Sequence, residues 1–134
     1  MLSECRNSID GPTREKLQIV GRAGRHALEL AYRAGIKIGS GSDIIGPLQH
    51  LKGRELVIKA EIMTPMEAIV SATRTNAELM GLADRAGTIE PGKWADLIVV
   101  DGNPLEEMAL FEKSIETVSY VMIGGQTRKQ FIKN

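Results

Sequence analysis

An α/β fold follows from a change of hydrophobic period early in the chain and from the glycines and prolines that separate its later apolar runs. After the Gly11-Pro12 breaker, Leu17, Val20, Ala27, Leu28 and Ala31 recur at helical spacing, and Gly35 follows as a stop signal. Residues 13–34 are therefore predicted to form one amphipathic helix. Ile36-Lys37-Ile38-Gly39 then alternates with period two. This predicts a short strand, with Ile36 and Ile38 buried, running into the small-residue turn Ser40-Gly41-Ser42-Asp43. From Gly87 onward, Gly87, Pro91, Gly92, Gly102 and Pro104 punctuate apolar runs at 97–100 and 118–123, which read as strands.

Between these ends the chain reads as helical. A stretch over 53–62 precedes Thr64-Pro65-Met66-Glu67, whose Thr-x-x-Glu spacing predicts a capping box with proline at the first helical position. Thr75-Asn76-Ala77-Glu78 repeats that spacing, so the helical region is predicted to break and restart there before Gly81 ends it. Gly124-Gly125, between 118–123 and 127–131, predicts a hairpin, because glycine supplies the positive φ angles that tight hairpin turns demand. There are no internal repeats and no low-complexity tracts.

With 134 residues, 43% hydrophobic and 25% charged, the chain suits one soluble globular domain and carries the composition of neither a disordered segment nor a membrane span. Its 17 basic and 17 acidic residues cancel, and no run of like charge stands out. That balance argues against nucleic acid and anionic lipid, and one Trp, two Tyr and two Phe give little to stack on bases. A small neutral or zwitterionic ligand suits it better. The single cysteine, Cys5, makes no intrachain disulfide, and Met1–Asp10 carries charges where a leader would need an apolar run. A cytoplasmic location is expected.

Chemistry centres on Asp43, at the end of the predicted strand. In parallel α/β architectures catalytic groups collect at the C-terminal ends of strands. A carboxylate there is a hard oxygen ligand for a divalent cation and a proton acceptor for a nearby water. From spacing alone, an aspartate that satisfies backbone amides in a turn is the favoured reading of Asp43. His50 reads as an ordinary partly exposed histidine, although a histidine so close to a carboxylate also invites a metal. His26, in the first helix with Arg22 and Arg25 just before it, reads as a solvated or packing residue. Gly39, Gly41 and Gly46 miss the dinucleotide spacing, and no phosphate loop, nucleophile elbow or paired C-x-x-C occurs.

The order of segments carries more than any one residue. Gly39-Ser40-Gly41-Ser42-Asp43-Ile44-Ile45-Gly46 resembles the GTDLLG segment of metal-dependent amidohydrolases related to prolidase and imidazolonepropionase, with Ser42 in place of the usual threonine. The family places next a helix similar to Met63-Thr64-Pro65-Met66-Glu67-Ala68-Ile69, then Ser71-Ala72-Thr73 and Asn76-Ala77-Glu78-Leu79-Met80-Gly81-Leu82. Most specific is the run Gly87-Thr88-Ile89-Glu90-Pro91-Gly92-Lys93-Trp94-Ala95-Asp96-Leu97-Ile98-Val99-Val100-Asp101-Gly102-Asn103-Pro104-Leu105, which looks like the family's strand entering its small β-domain. Val121-Met122-Ile123-Gly124-Gly125-Gln126 is similar to the closing V-x-x-G-G-x hairpin.

The resemblance implies an eight-stranded TIM-type β/α barrel flanked by a β-sandwich built from both ends of the chain. Residues 1–86 would hold the last helices and strand of the barrel, and residues 87–134 the C-terminal part of the sandwich. It also implies that Asp43 is both a metal ligand and the catalytic acceptor of the water's proton, while Asp96 orders a turn in the β-domain. The family's other ligands, a His-x-His pair, a bridging carboxylate or modified lysine and later histidines, precede this region. A divalent metal, zinc by this resemblance, would bind only with them. The implied reaction is cleavage of a C–N bond in a dipeptide-like or cyclic amide by metal-activated water, and the chain alone is expected to be inert. The alternative is a truncated, noncatalytic remnant serving as an interaction module. Either way, unpaired strands predict self-association or a complementary chain.

Overall fold

The computed structural model describes residues 11–130. Met1–Asp10, with Cys5, and residues 131–134, with Phe131 at the end of the last predicted strand, lie outside the described residues, as does the Leu17 side chain. The chain divides into two compact units, Met1–Ile36 and Lys37–Asn134. No helix among the described residues is long and apolar enough to cross a membrane.

The first unit holds α1 (Gly11–Arg33), close to the predicted 13–34. Gly35, at φ +68°, lets the chain turn back on the last helical turn. There Gly35 N–H donates to the Tyr32 carbonyl and Ile36 N–H to the Ala31 carbonyl, each at 3.0 Å. That pair of bonds is a Schellman ending, and it satisfies carbonyls the helix itself leaves open. Glu29 and Arg33 pair at 2.7 Å one turn apart.

In the second unit the helices come first. A 3₁₀ turn at Gly46–Leu51 leads into α2 (Arg54–Ala60), then α3 (Pro65–Ala72) and α4 (Arg74–Leu79). The predicted capping box is present: Glu67 N–H donates to Thr64 Oγ1 at 3.3 Å and Thr64 N–H to Glu67 Oε2 at 2.8 Å. A cap of this kind stabilises a helix by about 1 kcal/mol. The second restart falls elsewhere than predicted. The helix breaks at Thr73 (φ −117°, ψ −93°), so Thr75 to Glu78 lie inside α4. Asn76 and Glu78 are engaged by Ser40 and Lys37, and neither serves as a cap. α4 ends as predicted at Gly81, with Gly81 N–H bonded to the Glu78 carbonyl and Leu82 N–H to the Ala77 carbonyl.

The strands follow: β1 (Leu97–Val100), β2 (Val118–Ile123) and β3 (Gln126–Gln130), antiparallel in the order β1-β2-β3. Within the long Gly87–Leu105 motif only β1 is strand; its first part, through Lys93, is a series of turns. The hairpin forms on Gly124 and Gly125, both at positive φ (56° and 76°). Its other side is tied to the entrance of β1, where Gly124 N–H donates to Asp96 Oδ1 at 2.6 Å and Gly125 N–H to the Ala95 carbonyl at 3.1 Å. Asp96 therefore orders a turn, as expected. Register shifts at Val99/Val100 and at Val121/Met122 place one bulge in each ladder, which increases the local twist.

The predicted strand at Ile36–Gly39 does not form: residues 36–45 adopt neither helix nor strand, and Ile36 is 61% exposed instead of buried. Alternation supplies the faces of a strand, but a ladder also needs a neighbour, and the strands among the described residues pair only with one another. The interior is built from Met63, Ala68, Ala77, Met108, Phe111 and Val118. α2 packs against α3 and against a second 3₁₀ turn, Met108–Phe111, which a short helix, α5 (Ser114–Thr117), joins to β2.

Candidate functional site

Asp43 lies in the irregular segment and is exposed. Among the described residues it is the only non-glycine at positive φ, +48°. Aspartate tolerates this left-handed conformation better than most residues because its short polar side chain bonds locally. Just upstream, the backbone is held by side chains from helices. Ser40 N–H donates to Asn76 Oδ1 and Asn76 Nδ2 donates back to the Ser40 carbonyl, both at 2.8 Å. Glu55 Oε1 accepts from Ser40 Oγ at 2.8 Å and from Gly41 N–H at 2.9 Å.

Lys59 is buried, at 4% exposure. Its Nζ donates to the Gly39 carbonyl at 2.5 Å and to Ser71 Oγ at 3.1 Å, and it pairs with Glu55 Oε1 at 3.3 Å. The Ser71 hydroxyl in turn donates to the Ala68 carbonyl at 2.6 Å. Gly39 fits because it lacks a side chain: a Cβ there would sit 2.6 Å from Asn76 Oδ1 and 2.8 Å from Leu79 Cδ1.

The sequence reading missed Glu55, Lys59, Ser71 and Asn76. A signal for Lys59 was present. It stands one turn after Leu56 on an amphipathic stretch, where a lysine is out of place on the apolar face unless its charge is paired.

The other candidates lie elsewhere. The exposed His50 has its Nδ1 3.0 Å from the Pro47 carbonyl, a contact within its own turn. His26 is exposed on α1. Among the described residues no three His, Cys, Asp or Glu side chains gather where they could share a metal ion. Asp43 thus offers a single hard oxygen donor, and the chain adds no companions from these residues.

A second tie to the segment is Lys37, whose Nζ lies 2.7 Å from Glu78 Oε2. The hydrogen bond from Lys37, and then its charge, hold the Glu78 carboxyl below its ordinary value of 4.5. A depressed carboxyl contributes stability above its unfolded pKa and loses it as pH falls through the folded one. The pair should therefore be intact at neutral pH and release Lys37 only below about pH 4.5. Carboxyl carbon titration by NMR should give Glu78 a midpoint under 4.5 that rises toward it in Lys37→Met. An unchanged midpoint would count against the pairing.

The profile of the amidohydrolase family matches residues 4–128. The chain belongs to the amidohydrolase family. It is 32% identical over 96 residues to the imidazolonepropionase of Thermoplasma volcanium, covering 69% of this chain and 23% of that protein. It is 30% identical over 115 residues to the ochratoxinase of Aspergillus niger, covering 85% of this chain and 24% of the relative. A crystal structure of a prolidase complexed with N-methylphosphonate-L-proline superposes with a TM-score of 0.82 at 35% identity, over 92% of this chain and 30% of that one. The chain therefore spans about a quarter to a third of the length of these amidohydrolases. Its α/β architecture with a small sheet is part of the amidohydrolase fold. Amidohydrolases generally use a divalent metal ion.

Proposed function

We propose that this chain is the C-terminal part of a metal-dependent amidohydrolase that cleaves a C–N bond in a dipeptide-like or cyclic amide substrate. In this reading residues 1–86 supply the last helices of a β/α barrel and, at Ile36–Gly39, the segment that would become its final strand only beside the upstream strands, while residues 87–134 supply the C-terminal part of a composite β-sandwich. The observation that carries it is the backbone of Asp43. A non-glycine residue at φ +48° is strained, and such strain persists where surrounding contacts over-determine it, commonly at functional sites. Here it coincides with the carboxylate that the family motif singles out. The relatives named for imidazolonepropionase, ochratoxinase and prolidase support the substrate class.

Asp43 fits one coordination position of a divalent ion, zinc in this reading, and the upstream strands would supply the other protein ligands that such a site requires. When bound, the ion polarises the substrate carbonyl and makes a water more acidic. Asp43 then accepts that water's proton at a carboxylate oxygen and returns it to the leaving nitrogen. The strand edges enter the same proposal: among the described residues, β1 and β3 are the outer strands of the three-stranded sheet. Ile98, Val99 and Ile123 are about half exposed, at 50%, 48% and 52%. A complementary polypeptide, or a second copy, would cover them.

The test compares the 134-residue chain, its mass verified, with the same chain joined to an upstream region that carries the His-x-His pair. Dipeptides ending in proline and cyclic amides are assayed with added zinc. Hydrolysis is expected only in the joined form, and a chelator should remove it. Turnover by the short chain alone would overturn the divided site. Silence in the joined form would favour the interaction-module reading.

A further inference from the structure

We infer that Lys59 is a positioning residue: from inside the helical layer it holds the segment that sets Asp43. The inference rests on the proposed reading only in treating Asp43 as the reacting group.

A buried ammonium must have its donors satisfied, since a desolvated charge without partners is strongly unfavourable. Lys59 has three donors, and three acceptors meet them: the Gly39 carbonyl, Ser71 Oγ and Glu55 Oε1. Ser71 belongs to α3. The other two partners act on the segment before Asp43. Gly39 does so directly, and Glu55 does so through the same oxygen that accepts from Ser40 Oγ and Gly41 N–H.

Packing alone does not require this charge. A methionine would fill the space between α2 and α3 as well as the lysine stem does, although it would leave the Glu55 carboxylate and the Gly39 carbonyl without their cation. What the ammonium adds is direction. It fixes where the Gly39 carbonyl points and aligns the Glu55 carboxylate toward the Gly41 amide. Asn76 clamps Ser40 from the other side. The chain therefore reaches Asp43 from a fixed start, which is what a strained φ of +48° needs in order to persist.

The experiment uses the 134-residue chain labelled with ¹⁵N, carrying Lys59→Met, Glu55→Gln or Glu55→Ala. Three signals are read: amide exchange at Gly41, the HN–Hα coupling of Asp43, which reports its φ, and the urea midpoint. Lys59→Met should speed Gly41 exchange by about tenfold or more relative to the β2 amides, a local opening distinct from global unfolding. The Asp43 coupling should shift with it. Glu55→Gln keeps an acceptor oxygen and should retain most of the Gly41 protection, whereas Glu55→Ala should lose it. The urea midpoint should fall in Lys59→Met, because one partner of a buried pair is removed, but the rise in Gly41 exchange should exceed the rise that this fall imposes on the β2 amides. Uniform loss of protection across the chain, unfolding included, would make Lys59 a core residue and overturn the inference. So would an unmoved Asp43 coupling in Lys59→Met, or equal behaviour of the two Glu55 variants. Asp43→Asn activity tests the proposed reaction separately, because none of these signals depends on catalysis.

Discussion

Asp43→Asn should lower kcat/KM of the joined enzyme by about 10²- to 10⁴-fold, the range seen when a positioned proton acceptor is lost. Asparagine is the informative substitution because it keeps the size of the side chain and tolerates the left-handed backbone. A β-branched residue would confound the chemistry with strain at φ +48°. Loss of the anionic donor should also weaken metal retention, measurable as zinc content after dialysis. Turnover within threefold of the parent, with an unchanged fold by circular dichroism, would remove Asp43 from the mechanism.

The second large effect is on stability. Gly87 sits at φ +92°, and a Cβ there would lie 2.6 Å from Ala77 Cβ, 3.0 Å from Arg74 Cα and 3.1 Å from the Thr73 carbonyl oxygen. Two of those three neighbours are backbone at the start of α4, so the clash has no flexible side chain to absorb it. Gly87→Ala combines left-handed strain of roughly 1–2 kcal/mol with overpacking of roughly 1–3 kcal/mol. Gly81 separates the two causes. It has φ +69° but open space around its missing Cβ, so Gly81→Ala should show the conformational part alone. Urea titration of both variants should place Gly87→Ala well below Gly81→Ala. Equal midpoints would show that the α4 contact yields.

Features encoded within a few residues were legible in the sequence. The capping box at Thr64, the glycine endings at Gly35 and Gly81, and the Gly124-Gly125 hairpin each depend on local donors, acceptors or allowed φ angles. β1 and β2 were legible because short apolar runs between breakers leave few alternatives. What failed depended on partners far along the chain. Ile36 to Gly39 has a strand's alternation but no neighbouring strand among the described residues. Thr75 to Glu78 has a cap's spacing, yet Ser40 and Lys37, roughly forty positions away, recruit its polar groups. The clasp around Lys59 was hidden for the same reason. Its members come from α2, α3, α4 and the loop, and only the misplaced charge on the stripe of α2 hinted at it.

The order of the sheet also bears on how the chain acquires its structure. Every ladder joins consecutive strands, and the side-chain tie that closes that corner, Asp96 to Gly124, spans 28 positions. Low contact order of this kind speeds folding, and an isolated hairpin closes in about 1–10 μs. The β2–β3 hairpin can thus form first and capture β1, with Asp96 closing the corner. The loop bearing Asp43 must wait for contacts with Glu55, Lys59 and Asn76. During synthesis the Asp43 loop would be placed only after the helices that follow it have emerged, so its backbone conformation is among the last features to mature.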